Sequence, residues 1–387
     1  MSQTVTAQQI PPAPVDAKQL ADALRPFGES RMLPRGSYFD PEVLAWERRH
    51  LFSGWVGLGR SDELTRPRMM KAYPAGDGGV LVVRQDDGSL KGFENACRHR
   101  GHELLPCDGS TEGRAIVCPY HAWAYRLDGS LLGAPGFKDV EHFDTTEFPL
   151  HEVELREWQG WLFGNMGTTQ PFEEHISGLE PIFEHYDGAD LVTAELHEYD
   201  VEANWKVVVE NYQECYHCPS IHPELCQVSP PASGDNLNPQ ADWIGGTMEL
   251  RDHAATMSLD GHSGGAMIGR LDEVEQRTVM YLGLLPNLLI SLHPDYVMTH
   301  LLIPTTPERT RIRCSWAFPR AVTEAEGFDP AYAVDFWDIT NRQDWAACES
   351  VQRGMANPAF LPGPLAPAED GLYDFVHYVA RKYAGEG

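Results

Sequence analysis

Residues 210–226 read ENYQECYHCPSIHPELC, with two histidines, three cysteines and three glutamates crowded together as in a metal site. Zinc would favour the thiolates. An oxygen-activating iron would favour two imidazoles and a carboxylate, an arrangement that leaves coordination positions open. His217 and His222 lie five apart at the end of a segment of helical character. Pro219 between them is expected to break the helix, which would let both rings turn toward one ion. The carboxylate must then come from elsewhere in the chain. Asp344 in NRQDWAACESVQRGM is the best distant candidate, with Glu349 its nearest competitor. In a helix an aspartate more commonly faces solvent or pairs with a base, and Arg342 or Arg353 could serve.

A second set of candidates lies upstream, in CRHRGHELLPCDGSTEGRAIVCPYHAW. Cys97 and His99 form a C-x-H pair, and Cys118 and His121 form a C-x-x-H pair, each placed where the chain turns between strands. Two loops of this kind can face each other across a diiron–disulfide cluster, with thiolates on one iron and imidazoles on the other. Replacing two thiolates by imidazoles raises the reduction potential, which suits an electron relay. A structural zinc site accepts the same four side chains, although zinc fingers usually group their cysteines together and their histidines together. Core and loop residues unrelated to any metal are the third reading. Gly101 and Pro119 beside the pairs fit Rieske loops. His102 and Cys107, between the pairs, are expected to be a loop hydrogen-bonder and a small apolar side chain.

The elements that would position these residues divide the chain. Asp40–Pro41 marks a helix start before PEVLAWERRHLF. WVGLG, GVLVVRQ, LKGFENAC and AIVCPYHAWAYRL then read as short strands separated by DDGS and DGS turns. They predict a compact antiparallel β domain over residues 45–165, after a lead-in of residues 1–44. In the lead-in, Pro11, Pro12 and Pro14 oppose helix. Residues 166–387 read as an α+β domain, a sheet covered by helices. In it NWKVVVENYQECYH is helical, and NLLISLHP, YVMTHLLIP and RIRCSWAFP are strands, the last two joined by TTPER. Two long segments near the C-terminal end are helices. Residues 229–275, rich in Gly, Pro, Asp and Ser, are expected to be an irregular mobile insertion.

Composition bounds the function. A length of 387 residues, 42% hydrophobic and 22% charged, is that of an ordinary globular protein. A formal charge of −27 argues against nucleic acid and anionic membrane surfaces, and is compatible with a cationic small molecule or a basic partner. With no apolar run long enough to span a bilayer and no cationic, apolar leader, the expectation is a cytoplasmic protein. Its eight cysteines are not spaced as a disulfide framework.

Taken together, CRHRGH with CPYHAWAYRLDG, then NWKVVVENYQECYHCPSIHPE, then QDWAACESVQRG resemble the signatures of the Rieske non-haem iron oxygenase α-subunits, from about residue 40 to 384. The resemblance implies an N-terminal Rieske domain and a C-terminal helix-grip catalytic domain. It implies that Cys97, His99, Cys118 and His121 hold a [2Fe–2S] cluster and that His217, His222 and Asp344 hold mononuclear Fe(II). It gives Glu214 the role of an acidic bridge and Asn211 that of an amide beside the iron, and leaves Cys215, Cys218 and Cys226 as packing residues. It further implies O2 as co-substrate, a head-to-tail homotrimer and a separate NAD(P)H-dependent reductase carrying flavin and an iron–sulfur centre. The lack of a Gly-rich dinucleotide fingerprint is consistent with that separate reductase. Glu214 in ENYQECYHCPSIHPEL, and more weakly the MSLDG segment, resemble the glycine betaine, proline betaine and carnitine oxygenase branch. The expected reaction is therefore hydroxylation and N-demethylation of a quaternary ammonium compound. Aromatic ring hydroxylation, a Rieske electron carrier without catalysis and a zinc-stabilised binding module are the alternatives.

Overall fold

In the computed structural model, which describes residues 10–76, 78–237 and 242–386, the chain leaves one folding unit at Leu51. It builds a second from Phe52 to Phe172 and returns to the first at Glu173. The described part of the lead-in is thus no separate element, in contrast to the expected divisions at 44 and 165. The reason is a buried polar network. Glu47 accepts hydrogen bonds from Lys206 Nζ (2.6 Å), Trp205 Nε1 (2.9 Å) and the Tyr383 hydroxyl, with Glu47, Lys206 and Tyr383 all fully buried. A buried ion pair is tolerated when its remaining hydrogen-bonding capacity is filled, and removing one member leaves a costly bare charge. Nearby, Tyr38 donates to Glu210 (2.7 Å), and burial raises the Glu210 carboxyl to about 8.

The N-terminal segment also holds more helix than its prolines suggest. Asp16 caps Ala17–Ala23 by accepting from Gln19 N (2.7 Å), and Asp40 caps Pro41–His50 by accepting from Glu42 N (2.8 Å). Pro11, Pro12 and Pro14 all precede the first cap, where they cost no helical hydrogen bond. Residues 1–9 of the lead-in lie outside the described residues.

The Phe52–Phe172 unit is antiparallel β. One sheet orders its strands Ser110–Glu112, Met69–Tyr73, Val80–Arg84, Leu90–Glu94, Glu152–Val153. A three-stranded sheet orders Trp55–Arg60, Trp161–Asn165, Leu155–Trp158, and another orders Ile116–Val117, Ala124–Tyr125, Leu131–Gly133. Phe93, Trp123, Tyr125 and Ile116 form its core, and Cys97 and Cys118 lie inside that core.

The other unit is built on a seven-stranded antiparallel sheet. Its order is Leu191–Val201, Arg309–Pro319, Val297–Thr306, Leu288–Leu292, Thr278–Leu284, Trp243–Glu249, Asp235–Asn236. Helices Ala331–Met355, Trp205–Tyr212 and Asp370–Tyr383 pack on one another and on this sheet. An α+β architecture with a helix-covered antiparallel sheet results. The 229–275 segment is not wholly irregular. Trp243–Glu249 pairs along its full length with Thr278–Leu284. Its glycines permit close strand approach, since a Cβ at Gly245 would lie 2.6 Å from the Tyr281 carbonyl oxygen. Among the described residues, no helix is long and apolar enough to cross a membrane.

Candidate metal centres

In the β unit, two loops repeat one backbone design. Cys97 N donates to His102 O and Gly101 N to Cys97 O, both at 2.8 Å. Cys118 N donates to Trp123 O (2.8 Å) and Ala122 N to Cys118 O (3.0 Å). Gly101 and Ala122, each four residues after its cysteine, take positive φ values of 72° and 56°. Glycine meets that demand freely, and alanine meets it under strain. Cys97 and Cys118 are 3% and 2% exposed, whereas His99 is half-buried and His121 exposed. The two imidazoles face each other edge to face at 4.8 Å, with His99 stacked on Trp123 at 4.9 Å.

Buried thiols within and imidazoles at the rim are the donor set of a Rieske cluster, and they fit one. The chain adds a hydrogen bond that sequence reasoning missed. The Tyr125 hydroxyl accepts from Arg98 N (3.0 Å) and can donate to Cys97 Sγ at 3.3 Å. His102, exposed, keeps Nδ1 2.6 Å from the Glu103 carbonyl oxygen, while Cys107 is exposed rather than packed.

In the α+β unit, helix Trp205–Tyr212 starts at Asn204, whose side chain accepts from Lys206 N (3.0 Å). The helix ends at Gln213, before His217. Pro219 therefore does not break a helix. It sits in the first turn of the short helix Cys218–Ile221, where a missing N–H is harmless. The turns bring His217 and His222 together, with their Nε2 atoms 3.2 Å apart. Helix Ala331–Met355 supplies Asp344, whose Oδ1 lies 2.9 Å from His222 Nε2 and 3.4 Å from His217 Nε2. Asn211 Nδ2 is 3.4 Å from His217 Nε2. Glu349 takes no part in this convergence and accepts from Glu202 N at 3.2 Å. Arg342 pairs with Asp338 (2.8 Å) and Arg353 lies 3.9 Å from Glu349, which leaves Asp344 to the histidines.

The opposite ring nitrogens fix the tautomers. His217 Nδ1 meets Glu214 Oε1 at 2.6 Å, and His222 Nδ1 meets Gln343 Oε1 at 2.7 Å. With protons held at Nδ1, two Nε2 lone pairs and a carboxylate oxygen point into one small space. Such a set repels itself unless a cation occupies it, and it fits a 2-His-1-carboxylate iron. The electrostatics show the same demand for a positive charge between these groups. Burial opposes charge on His217, yet Asp344 and Glu214 outweigh it and raise the imidazolium to about 9. Burial likewise opposes ionisation of Asp344, and its bonds to His217 and His222 hold its carboxyl below the usual range.

Cys218 Sγ is 4.0 Å from His217 Nε2 and, with the two histidines, would complete a rival donor set. Its sulfur is instead joined to Cys215 in a disulfide, with Cα atoms 4.9 Å apart, so these two cysteines are more than packing residues. Sequence reasoning missed Gln343 beside Asp344, and Glu224, which accepts from Gln343 Nε2 at 3.0 Å. Glu224 stands in the quoted stretch, but nothing local assigns it that partner. Beside the triad lies a cavity of about 530 Å3, lined in part by Tyr212, Tyr281, Trp337 and Trp345.

Comparison with known proteins matches each unit to a known domain. Residues 189–385 match the ring hydroxylating alpha subunit catalytic domain, and residues 54–144 match the Rieske [2Fe-2S] domain. The glycine betaine monooxygenase oxygenase subunit of Chromohalobacter salexigens is 31% identical, over 92% of this chain and 87% of its own length. The carnitine monooxygenase oxygenase subunit of Escherichia coli is 34% identical over half of this chain and 53% of its own. The crystal structure of the quaternary ammonium Rieske monooxygenase CntA with an inhibitor shares the fold. Its TM-score is 0.79 at 24% identity, covering 95% of this chain and 98% of CntA. This chain belongs to the ring-hydroxylating oxygenase α-subunits, Rieske non-haem iron oxygenases whose cofactors are a [2Fe–2S] Rieske cluster and a mononuclear iron.

Proposed function

We propose that the protein is the terminal oxygenase of a monooxygenase acting on an N-methylated quaternary ammonium compound, with the cluster on Cys97, His99, Cys118 and His121 and the iron on His217, His222 and Asp344. The observation that carries this reading is the convergence of His217, His222 and Asp344 beside an aromatic-lined cavity. Iron there supplies O2 activation against a substrate C–H bond, using electrons delivered one at a time through the cluster.

The chain's own residues prepare the site. Glu214 and Gln343 hold protons at the outer ring nitrogens, so both histidines present lone pairs inward. Tyr212, Tyr281, Trp337 and Trp345 line the cavity, and a ring face turned into it would offer cation–π contact to an ammonium head. Positioned so, an N-methyl carbon is the atom hydroxylated. The resulting carbinol releases formaldehyde and leaves the demethylated amine.

Electrons would come from a separate NAD(P)H-dependent flavin and iron–sulfur reductase. They would cross between subunits of a head-to-tail homotrimer, in which His121 of one subunit faces His217 of its neighbour and Glu214 accepts from both. The exposure of His121 and the bond between Glu214 and His217 support that route.

The test is turnover with a reductase, NADH and a panel of N-methylated ammonium compounds and arenes. Formaldehyde release coupled to NADH consumption is expected from an ammonium compound. Coupled turnover confined to arenes would overturn the reading.

A further inference from the structure

The two ring nitrogens of His222 are held by consecutive residues of one helix. On Ala331–Met355, Asp344 places Oδ1 2.9 Å from Nε2, and Gln343 places Oε1 2.7 Å from Nδ1. His217 is gripped differently, because its Nδ1 meets a carboxylate, Glu214, at 2.6 Å. An ionised carboxylate can only accept, so it admits one neutral tautomer, with the proton on Nδ1 and the lone pair on Nε2. A glutamine amide is ambivalent. Turned end for end it presents Nε2–H with almost no change of shape, and His222 Nδ1 must then be the acceptor.

That second state would leave nothing unsatisfied. With its proton on Nε2, His222 donates to Asp344 Oδ1 at the same 2.9 Å, and the two residues are spent on each other. No lone pair then points from that ring toward a metal. The metal-ready and self-paired states differ only by an amide rotation and a proton shift, so a group outside the ring must choose between them.

Glu224 is placed to make that choice. It is the second residue of the short helix Pro223–Val228, whose N-cap is His222 itself, and it accepts from Gln343 Nε2 at 3.0 Å. In the turned amide, Oε1 would stand where Nε2 stands, setting acceptor against acceptor and losing a charge-assisted hydrogen bond. The run from the Glu224 carboxylate through the Gln343 amide to the His222 imidazole is therefore polarised in one direction.

We propose that Glu224 is a positioning residue for the iron: by fixing the orientation of the Gln343 amide, it holds His222 in the tautomer that presents Nε2 to the metal. The proposal rests on the reading of His222 as an iron ligand, and adds to it a residue that acts through another.

Iron(II) affinity is the readout, measured anaerobically by competition with a chromogenic chelator on oxygenase that keeps its cluster. Glu224→Ala should weaken iron binding about tenfold, the lower end of what loss of a ligand's hydrogen-bond partners costs. Gln343→Glu replaces the ambivalent grip with one that only accepts. In that background the same Glu224→Ala change should cost less than about twofold, since no orientation is left to fix. Comparison within each background cancels whatever the new carboxylate itself adds to iron affinity. Glu224→Gln keeps a hydrogen bond to the amide but accepts either of its orientations, and should weaken iron binding without lowering the melting temperature. Equal losses from Glu224→Ala in both backgrounds would make Glu224 a brace between two helices and overturn the proposal, as would wild-type affinity in Glu224→Ala. Mononuclear iron retained in His222→Ala would instead remove the ligand assignment beneath it.

Discussion

His217 and His222 are each gripped from outside, by Glu214 and Gln343, and aimed inward at Asp344. That division of labour predicts separable effects. Asp344→Ala removes the anionic donor but not the grips, so metal analysis should fall from about three to about two irons per chain with an unchanged cluster spectrum. Loss of iron in Glu349→Ala instead would move the ligand there. At the proposed cluster site, the Tyr125 hydroxyl reaches the Cys97 sulfur. A hydrogen bond stabilises the more negative, reduced cluster, so Tyr125→Phe should lower its midpoint potential in redox titration. One neutral bond of about 1 kcal/mol on a one-electron couple corresponds to roughly 40 mV. An unchanged potential would mean that the hydroxyl does not bond the sulfur of the loaded protein.

At the scale of elements, close strand approach is the feature with the sharpest consequence. Gly245→Val places its Cβ against the Tyr281 carbonyl and the Leu282 side chain. It should destabilise the α+β unit by roughly 2–4 kcal/mol, seen by calorimetry as a lower melting temperature for that unit's transition. Wild-type melting would show that the strand pair can part without cost. The same glycines explain why residues 229–275 read as loop, because composition cannot distinguish a glycine that turns from one that lets backbones meet. The strand Leu191–Val201 was not anticipated at all, since its burial alternates too weakly to mark a face. Pro219 was legible as a punctuation mark, but its sense was not, because a proline that stops a helix and one that starts a helix look alike in sequence. The cluster loops were the most legible elements. Gly101 announces its left-handed turn, whereas Ala122 hides the identical one.

At the scale of the whole molecule, electron delivery would depend on neighbouring subunits, and Glu214 is the residue where that dependence becomes measurable. Glu214→Gln is nearly isosteric, yet its amide cannot accept in the same way from two rings. It should retain the iron content and the oligomeric mass of the wild type in analytical ultracentrifugation. In single-turnover mixing with substrate and O2, oxidation of the reduced cluster should slow by tenfold or more, and product yield should fall. Wild-type rates would refute the bridge. The cysteine–histidine pairs and the α+β plan stand out in the sequence through local spacing and periodicity, whereas Asp344 is set above Glu349 only by the family resemblance. Membership of residues 10–51 in the catalytic unit could not be read there, because it depends on Glu47 meeting Lys206 and Tyr383 across more than 150 and 300 positions.

That meeting also sets a timetable for biosynthesis. The Phe52–Phe172 unit is contiguous and can fold as soon as it clears the ribosome. The other unit is split in sequence, drawing on residues 10–51 and 173–386, with Ala13 N bonded to Tyr383 O at 2.8 Å. Its early helices must wait for more than three hundred further residues of translation before Tyr383 arrives to cover Glu47 and Lys206. Ribosome-held chains arrested shortly before that helix emerges should therefore protect the β unit from protease and leave the rest open to cleavage.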